Sequence, residues 1–302
     1  MQELTQLLQE AAGRDCIFEQ ESMKNHTTFR IGGPADLFAA PVTVESAAEV
    51  VRICREHHVP FYVIGNGSNL LVSDKGYRGL ILQLYRNLSE IRVEGEEILV
   101  QAGAMLSVIA KRALEHGLTG FEFASGIPGT IGGAAVMNAG AYGKEMKDVL
   151  TQVTVLTQEN TLLTVPAQEL VLGYRHSIIP ERGWIVLEAK LKLKKGDREE
   201  IRRQMEELKE KRVSKQPLEF PSAGSTFKRP EGYFAGKLIM DAGLRGFSVG
   251  GAQVSEKHCG FVVNRGDATA EDVRKLMRLV SERVREQFGV ELEPEVRMLG
   301  EF

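Results

Sequence analysis

The stretch "SGIPGTIGGAAVMNAGAYG", residues 125–143, sets Gly126, Gly129, Gly132, Gly133, Gly140 and Gly143 among small side chains. Glycines at this density cost conformational entropy on folding, so a floppy loop does not account for them, least of all with Ile127, Ile131, Val136 and Met137 woven through. Main chain without Cβ atoms can be approached closely, and its amide N–H groups suit phosphate oxygens. The feature restricts the chain to folds that press a backbone turn against something, and a bound ligand is the favoured occupant.

A second turn lies in "PFYVIGNGSNLLVSDKG", residues 60–76, where an apolar run enters Gly65, Asn66, Gly67, Ser68 and Asn69. A Rossmann dinucleotide turn would need a third glycine at position 70 and a helix after it. Position 70 is Leu70, and Leu70-Leu71-Val72 is a β-prone run stopped by Ser73-Asp74-Lys75-Gly76. The pattern is strand, polar turn, strand, which excludes the Rossmann reading. Two separated glycine-rich turns could grip the two ends, or the diphosphate, of one long cofactor.

The rest of the sequence bounds what can surround such turns. At 302 residues the chain has length for about two domains. A net charge of −3, with both signs interspersed, provides no basic field for nucleic acid. No apolar run reaches the ~18 residues of a membrane span. "MQELTQLLQEAAG" reads as a helix with Leu4, Leu7, Leu8 and Ala11 at helical spacing, not as a secretory signal, so a cytoplasmic location is expected. Cys16, Cys54 and Cys259 form no CxxC, so neither a disulfide framework nor a metal site is expected. "TVESAAEVVRICREHHVP" reads as a helix starting near Thr43. Hairpins are expected to turn near Gly95 and Asn160, and "WIVLEAKLKLKKG" alternates Ile185, Leu187, Ala189, Leu191 and Leu193 onto one face. A charged helix follows, opening on Asp197 and Glu200 with Ile201, Met205 and Leu208 on one side. The sequence closes with a helix bearing Val273, Leu276, Val280, Val284 and Phe288 and a strand around 291–299. Strands and helices without strict βαβ alternation indicate an α+β fold.

Several charged and hydroxyl residues have two readings. Arg212 and Lys215 end a helix, where cations complement the dipole, or they clamp a diphosphate. Ser225 in "AGSTF" is either a turn residue or a proton donor. It has no GxSxG context, so a hydrolase nucleophile is not expected. Arg175 in "GYRHS" and Glu295 in "ELEPEVRMLG" read singly as surface ion-pair members.

Taken in order from about residue 24 to 299, "NHTTFRIGGPADLFAAP", "VIGNGSNLLVSDKGYRGLIL", "ASGIPGTIGGAAVMNAGAYG", "YRHS", "AGSTFKRP", "AGLRGFSVGGAQVSEKHCGFVVN" and "EPEVRMLG" resemble the UDP-N-acetylenolpyruvoylglucosamine reductase family. The resemblance is to the shorter form, without the tyrosine-bearing substrate loop. It implies the FAD-binding fold of the vanillyl-alcohol-oxidase type: subdomains over 1–85 and 86–208, and a substrate domain over 209–302 whose final strand returns to the active site. The implied partners are UDP-N-acetylglucosamine enolpyruvate and NADPH as co-substrate, with no nucleic acid, membrane or protein partner.

Carried over by motif, FAD would be held by Gly65, Asn66, Gly67, Ser68, Asn69, Leu70, Ser125, Gly126, Ile127, Pro128, Gly129, Thr130, Gly132 and Gly133. It would be non-covalent, since neither turn contains a histidine or cysteine. The implied catalytic residues are Arg175, Ser225 and Glu295, and the implied substrate contacts are Tyr174, Arg212, Lys215, Arg229 and Arg297. In that chemistry Arg175 meets developing negative charge, Glu295 acts as a neutral acid or through water, and Ser225 protonates C2. NADPH and substrate using one flavin face in turn would give ping-pong kinetics. The rivals are another FAD-dependent oxidoreductase of the same fold with a different substrate, and a non-catalytic nucleotide-sugar or flavin binder.

Overall fold

The computed structural model describes residues 2–302. It resolves into two compact units, one formed by the chain up to Phe18, Leu37–Asn66 and Gly79–Arg212, the other by Glu19–Asp36, Gly67–Arg78 and Val213–Phe302. Among the described residues no helix is long and apolar enough to cross a membrane.

The first unit is built on a five-stranded antiparallel sheet ordered Leu162–Pro166, Leu150–Leu156, Ile185–Lys192, Glu97–Gln101, Ile91–Glu94. The alternation expected in its central strand is present: Leu187, Ala189 and Leu191 are buried, while Glu188, Lys190 and Lys192 are not. Gly95, at φ 64, turns the hairpin that pairs Glu94 with Glu97, a backbone conformation glycine adopts without strain. Asn160, at φ 58, takes the corresponding place between Leu156 and Leu162.

Helix Ile131–Met137 packs on the central strand. Its small residues permit close approach, and a Cβ on Gly132 would stand 2.9 Å from the Ala102 side chain. Helix Val44–Glu56 opens on a Thr43/Ser46 capping box and buries Ala47, Val50, Val51, Ile53 and Cys54. The strand Phe61–Ile64 after it pairs in parallel with Leu80 through Gln83. In the amino-terminal helix Gln2–Ala12 the buried stripe is Thr5, Leu8 and Ala12, with Leu4, Leu7 and Ala11 half-buried beside it.

In the second unit helix Ala270–Phe288 buries Val273, Leu276, Met277, Val280 and Val284 against a three-stranded sheet of Ser248–Val249, Ala252–Val254 and Val262–Asn264. Phe288 is 39% exposed instead of joining that stripe, because it is the last helical residue before Gly289 turns left-handed at φ 68. The helix start is capped twice. Thr269 and Asp272 form a capping box, and the Asp74 carboxylate accepts the Ala270 and Glu271 amides at 2.8 and 3.1 Å. The final strand spans only Arg297–Leu299, in parallel register with Leu70–Val72. Pro294, lacking an amide proton, is limited to an isolated bridge with Phe227.

The charged helix runs Arg198–Lys215, with Asp197 accepting the Glu200 amide at 2.9 Å as its sequence suggests. Ile201 is its one buried residue. Met205 and Leu208 are half-buried.

Candidate active site

In the first unit Gly65 and Asn66 lie against the second glycine-rich turn. The Asn66 side-chain amide donates to the Pro128 carbonyl at 2.8 Å. A Cβ on Gly65 would stand 2.2 Å from Thr130 Oγ1, so glycine is demanded there by packing between the turns. Thr130 is buried at the start of helix Ile131–Met137, where Ile131 and Gly132 donate to the Ala104 and Ala102 carbonyls at 2.9 Å each. Ser125 Oγ donates to the Glu122 carbonyl at 2.8 Å. Gly126 and Pro128 are exposed, Ile127 and Gly129 half-buried, and Gly133 exposed. Among the described residues, the backbone N–H groups of Gly126 and Gly129 donate to no protein acceptor. A turn with two glycine amide donors to offer fits a diphosphate such as that of FAD.

Arg212 belongs to this same unit. Its Cδ would be 3.1 Å from a Cβ on Gly126, so its stem covers the second turn. Burial pulls its guanidinium below the ordinary arginine range, and Tyr142 opposes the shift. The Tyr142 hydroxyl donates to the Leu208 carbonyl at 3.1 Å, on the same helix as Arg212.

Arg175 sits at φ 53 in a tight turn closed by two bonds: Gly173 N–H to the His176 carbonyl at 3.1 Å, and the reverse at 3.2 Å. Its guanidinium carbon is 5.0 Å from the Tyr174 ring centroid, and its Nη2 lies 3.5 Å from the Gly140 carbonyl oxygen.

The second unit carries the remaining expected residues. Gly67 is left-handed at φ 61 and buried, and a Cβ there would be 2.1 Å from the His26 carbonyl oxygen. Ser68 is half-buried, and Leu70 begins the strand paired with Arg297–Leu299. The Asn69 side chain donates to the Glu295 carbonyl at 3.1 Å, and the Asn69 carbonyl accepts the Arg297 amide at 3.0 Å.

Ser225 is exposed, and its neighbour Thr226, 1% exposed, is fixed on three sides. The Thr226 amide donates to the Gly260 carbonyl at 2.9 Å and its hydroxyl accepts the Val262 amide at 2.9 Å. Its carbonyl accepts the Glu295 amide at 2.9 Å. Ser225 and Glu295 thus stand on adjacent backbone segments, and Glu295 is gripped through both its amide and its carbonyl.

Arg229 stacks over Phe234, 3.9 Å from the ring centroid, with Nε donating to the Tyr233 carbonyl at 3.2 Å. Lys215 and Arg297 are exposed. His258 is held below its usual range, by burial first and then by the positive charge of Lys215, while its Nδ1 accepts the Gly260 amide at 3.1 Å.

Asn138 is among the polar residues near the expected sites that escaped the sequence reading. It is 0% exposed and ends helix Ile131–Met137 in a left-handed conformation. An asparagine following a run of small helical residues is the available signal, since asparagine tolerates that conformation.

Residues 216–299 match the model of the UDP-N-acetylenolpyruvoylglucosamine reductase C-terminal domain, and residues 35–166 match the model of an FAD binding domain. The chain is 58% identical over 298 residues to a UDP-N-acetylenolpyruvoylglucosamine reductase of Agathobacter rectalis, covering 95% of each chain. It is 53% identical over 298 residues to one of Caldanaerobacter subterraneus, covering 99% of this chain and 98% of that one. The crystal structure of the enzyme of that name from Thermus caldophilus superposes with a TM-score of 0.81 at 38% identity, over 93% of this chain and 98% of that one. An alkyldihydroxyacetonephosphate synthase shares the fold alone, with a TM-score of 0.51 at 17% identity over 65% of this chain and 40% of that one.

Proposed function

The chain belongs to the UDP-N-acetylenolpyruvoylglucosamine reductase family, and we propose that it reduces UDP-N-acetylglucosamine enolpyruvate to UDP-N-acetylmuramate at the expense of NADPH, a step of peptidoglycan precursor synthesis. It is an FAD-dependent oxidoreductase of the vanillyl-alcohol-oxidase-type fold. The FAD would be non-covalent and held by Gly65–Leu70, Ser125–Thr130, Gly132 and Gly133, all of which fall within the matched FAD-binding interval. The chemistry supplied by bound FAD is hydride acceptance from NADPH and hydride delivery to C3 of the enolpyruvyl group.

The side chains manage charge and protons around that transfer. Hydride arrival at C3 turns the methylene into a methyl group and pushes the electron pair of the double bond onto C2 and the adjoining carboxylate. Arg175 offers that charge a planar, permanently cationic donor fork. The Ser225 hydroxyl gives its proton to C2, forming the C–H bond that completes the lactyl ether, and recovers a proton from solvent. Glu295 steadies the C2 region as a neutral acid or through water. Tyr174, Lys215, Arg229 and Arg297 bind the nucleotide-sugar and its carboxylate, with Arg212 at its diphosphate.

The observation that carries this reading is the Thr226 carbonyl accepting the Glu295 amide. It sets an exposed hydroxyl and a carboxyl on neighbouring, well-anchored segments, which a flavin oxidase acting on an alcohol would not require. Anaerobic mixing with NADPH should bleach the flavin, and the enolpyruvyl substrate should then restore its colour without oxygen. Flavin that stays bleached with that substrate, yet recovers with another oxidant, would assign a different substrate.

A further inference from the structure

Within the first unit a single buried amide joins the end of the FAD-turn helix to the turn that bears Arg175. Asn138, 0% exposed at φ 42 and ψ 52, donates from Nδ2 to the Gly173 carbonyl at 2.9 Å and to Glu145 Oε2 at 3.1 Å. Its Oδ1 accepts the Lys147 amide at 2.9 Å. The Gly173 carbonyl also accepts the His176 amide, so both its lone pairs are engaged at the mouth of the Arg175 turn. A second tie follows at once, with Ser177 Oγ donating to the Val136 carbonyl at 2.6 Å. Two residues of the helix end thus hold both flanks of residues 173–177, between which Arg175 is kept at φ 53. A left-handed arginine is costly unless its surroundings over-determine it.

We propose that Asn138 is a positioning residue for Arg175: its amide fixes the Gly173–His176 turn and so the direction from which the guanidinium is presented. This rests on the proposed part of Arg175 in reduction. Glycine at position 138 would supply the left-handed backbone at no steric cost, so the side chain is there for its hydrogen bonds. All three are satisfied, as burial demands.

The test uses the FAD-loaded full chain. Asn138→Gly keeps the backbone conformation and removes the link, while Asn138→Asp keeps size and the acceptor for Lys147 but sets an oxygen against the Gly173 carbonyl. In both variants the Gly173 and His176 amides should exchange hydrogen on the order of tenfold faster, the scale of one lost buried hydrogen bond. Flavin content and reduction by NADPH should stay parent-like, while reoxidation by the enolpyruvyl substrate slows to a similar degree. In an Arg175→Lys background the loss in reoxidation should largely vanish, because the residue being positioned is gone. Parent-like exchange at Gly173 and His176 would overturn the proposal, as would an undiminished loss in the Arg175→Lys background or loss of flavin from both variants. Should Arg175→Lys alone reoxidise at the parent rate, the catalytic reading of Arg175 falls, and the exchange result still decides whether Asn138 holds the turn.

Discussion

In the proposed reaction Ser225 would carry the step that bulk water is least able to supply, protonation of a carbon centre. Its backbone is anchored through Thr226 while its own side chain is exposed, the arrangement of a donor that must meet a ligand. Ser225→Ala should therefore leave flavin reduction by NADPH intact and slow reoxidation by the enolpyruvyl substrate by about 10²–10⁴-fold, the usual worth of general acid catalysis. Ser225→Cys should recover part of the rate, since a thiol also donates a proton. Stopped-flow traces showing equal slowing of both half-reactions would instead mean a displaced flavin. Lys215 and Arg212 looked alike as helix-end cations, yet the structure separates them. Lys215 is exposed, and Arg212 lies over Gly126. Lys215→Ala should raise KM for the nucleotide-sugar more than it lowers kcat, because a contact remote from C2 changes little on the way to the transition state. Arg212→Ala should do the same and also weaken FAD retention, measured by flavin released on gel filtration.

Elements were legible where local chemistry decides them. The Thr43 cap, the Gly95 and Asn160 turns and the Ile185–Lys192 alternation all follow from residue type and period alone. The ends were harder, since a terminal position such as Phe288 can keep the helical period without a neighbour to cover it. The final strand shortened because Pro294 breaks the ladder, a signal present in the sequence but overridden by the β-prone residues around it. Asp74 capping a helix that begins at Ala270 had no local signature at all. That contact yields a clear expectation. Asp74→Ala leaves the Ala270 and Glu271 amides to the remaining Thr269/Asp272 box and should cost about 0.5–2 kcal/mol. It should be read as a lower urea midpoint at unchanged slope, with FAD held in excess so that binding does not shift the comparison. An unchanged midpoint would show that the box alone satisfies the helix start.

At the scale of the molecule, the order of motifs along the chain pointed to the family, but not how contacts divide it. Glu19–Asp36 and Gly67–Arg78 group with the carboxy-terminal residues, because Asn69, Ser73 and Asp74 spend their hydrogen bonds on residues about two hundred positions away or more. Spacing along a sequence has no access to such pairings. The turn beginning at Gly65 is likewise shared between units at Asn66 and Gly67, and Gly65 proves to be small for the sake of Thr130. The central claim, hydride to C3 and a proton from the protein to C2, is tested most directly by where isotopes settle in the product. Single turnover with NADPH deuterated at its transferable position, in ordinary water, should place deuterium in the new methyl group at C3. The converse experiment, unlabelled NADPH in deuterated water, should place deuterium at C2. Label from NADPH appearing at C2, or a product carrying no NADPH-derived label with the flavin fully protected from exchange, would contradict the account.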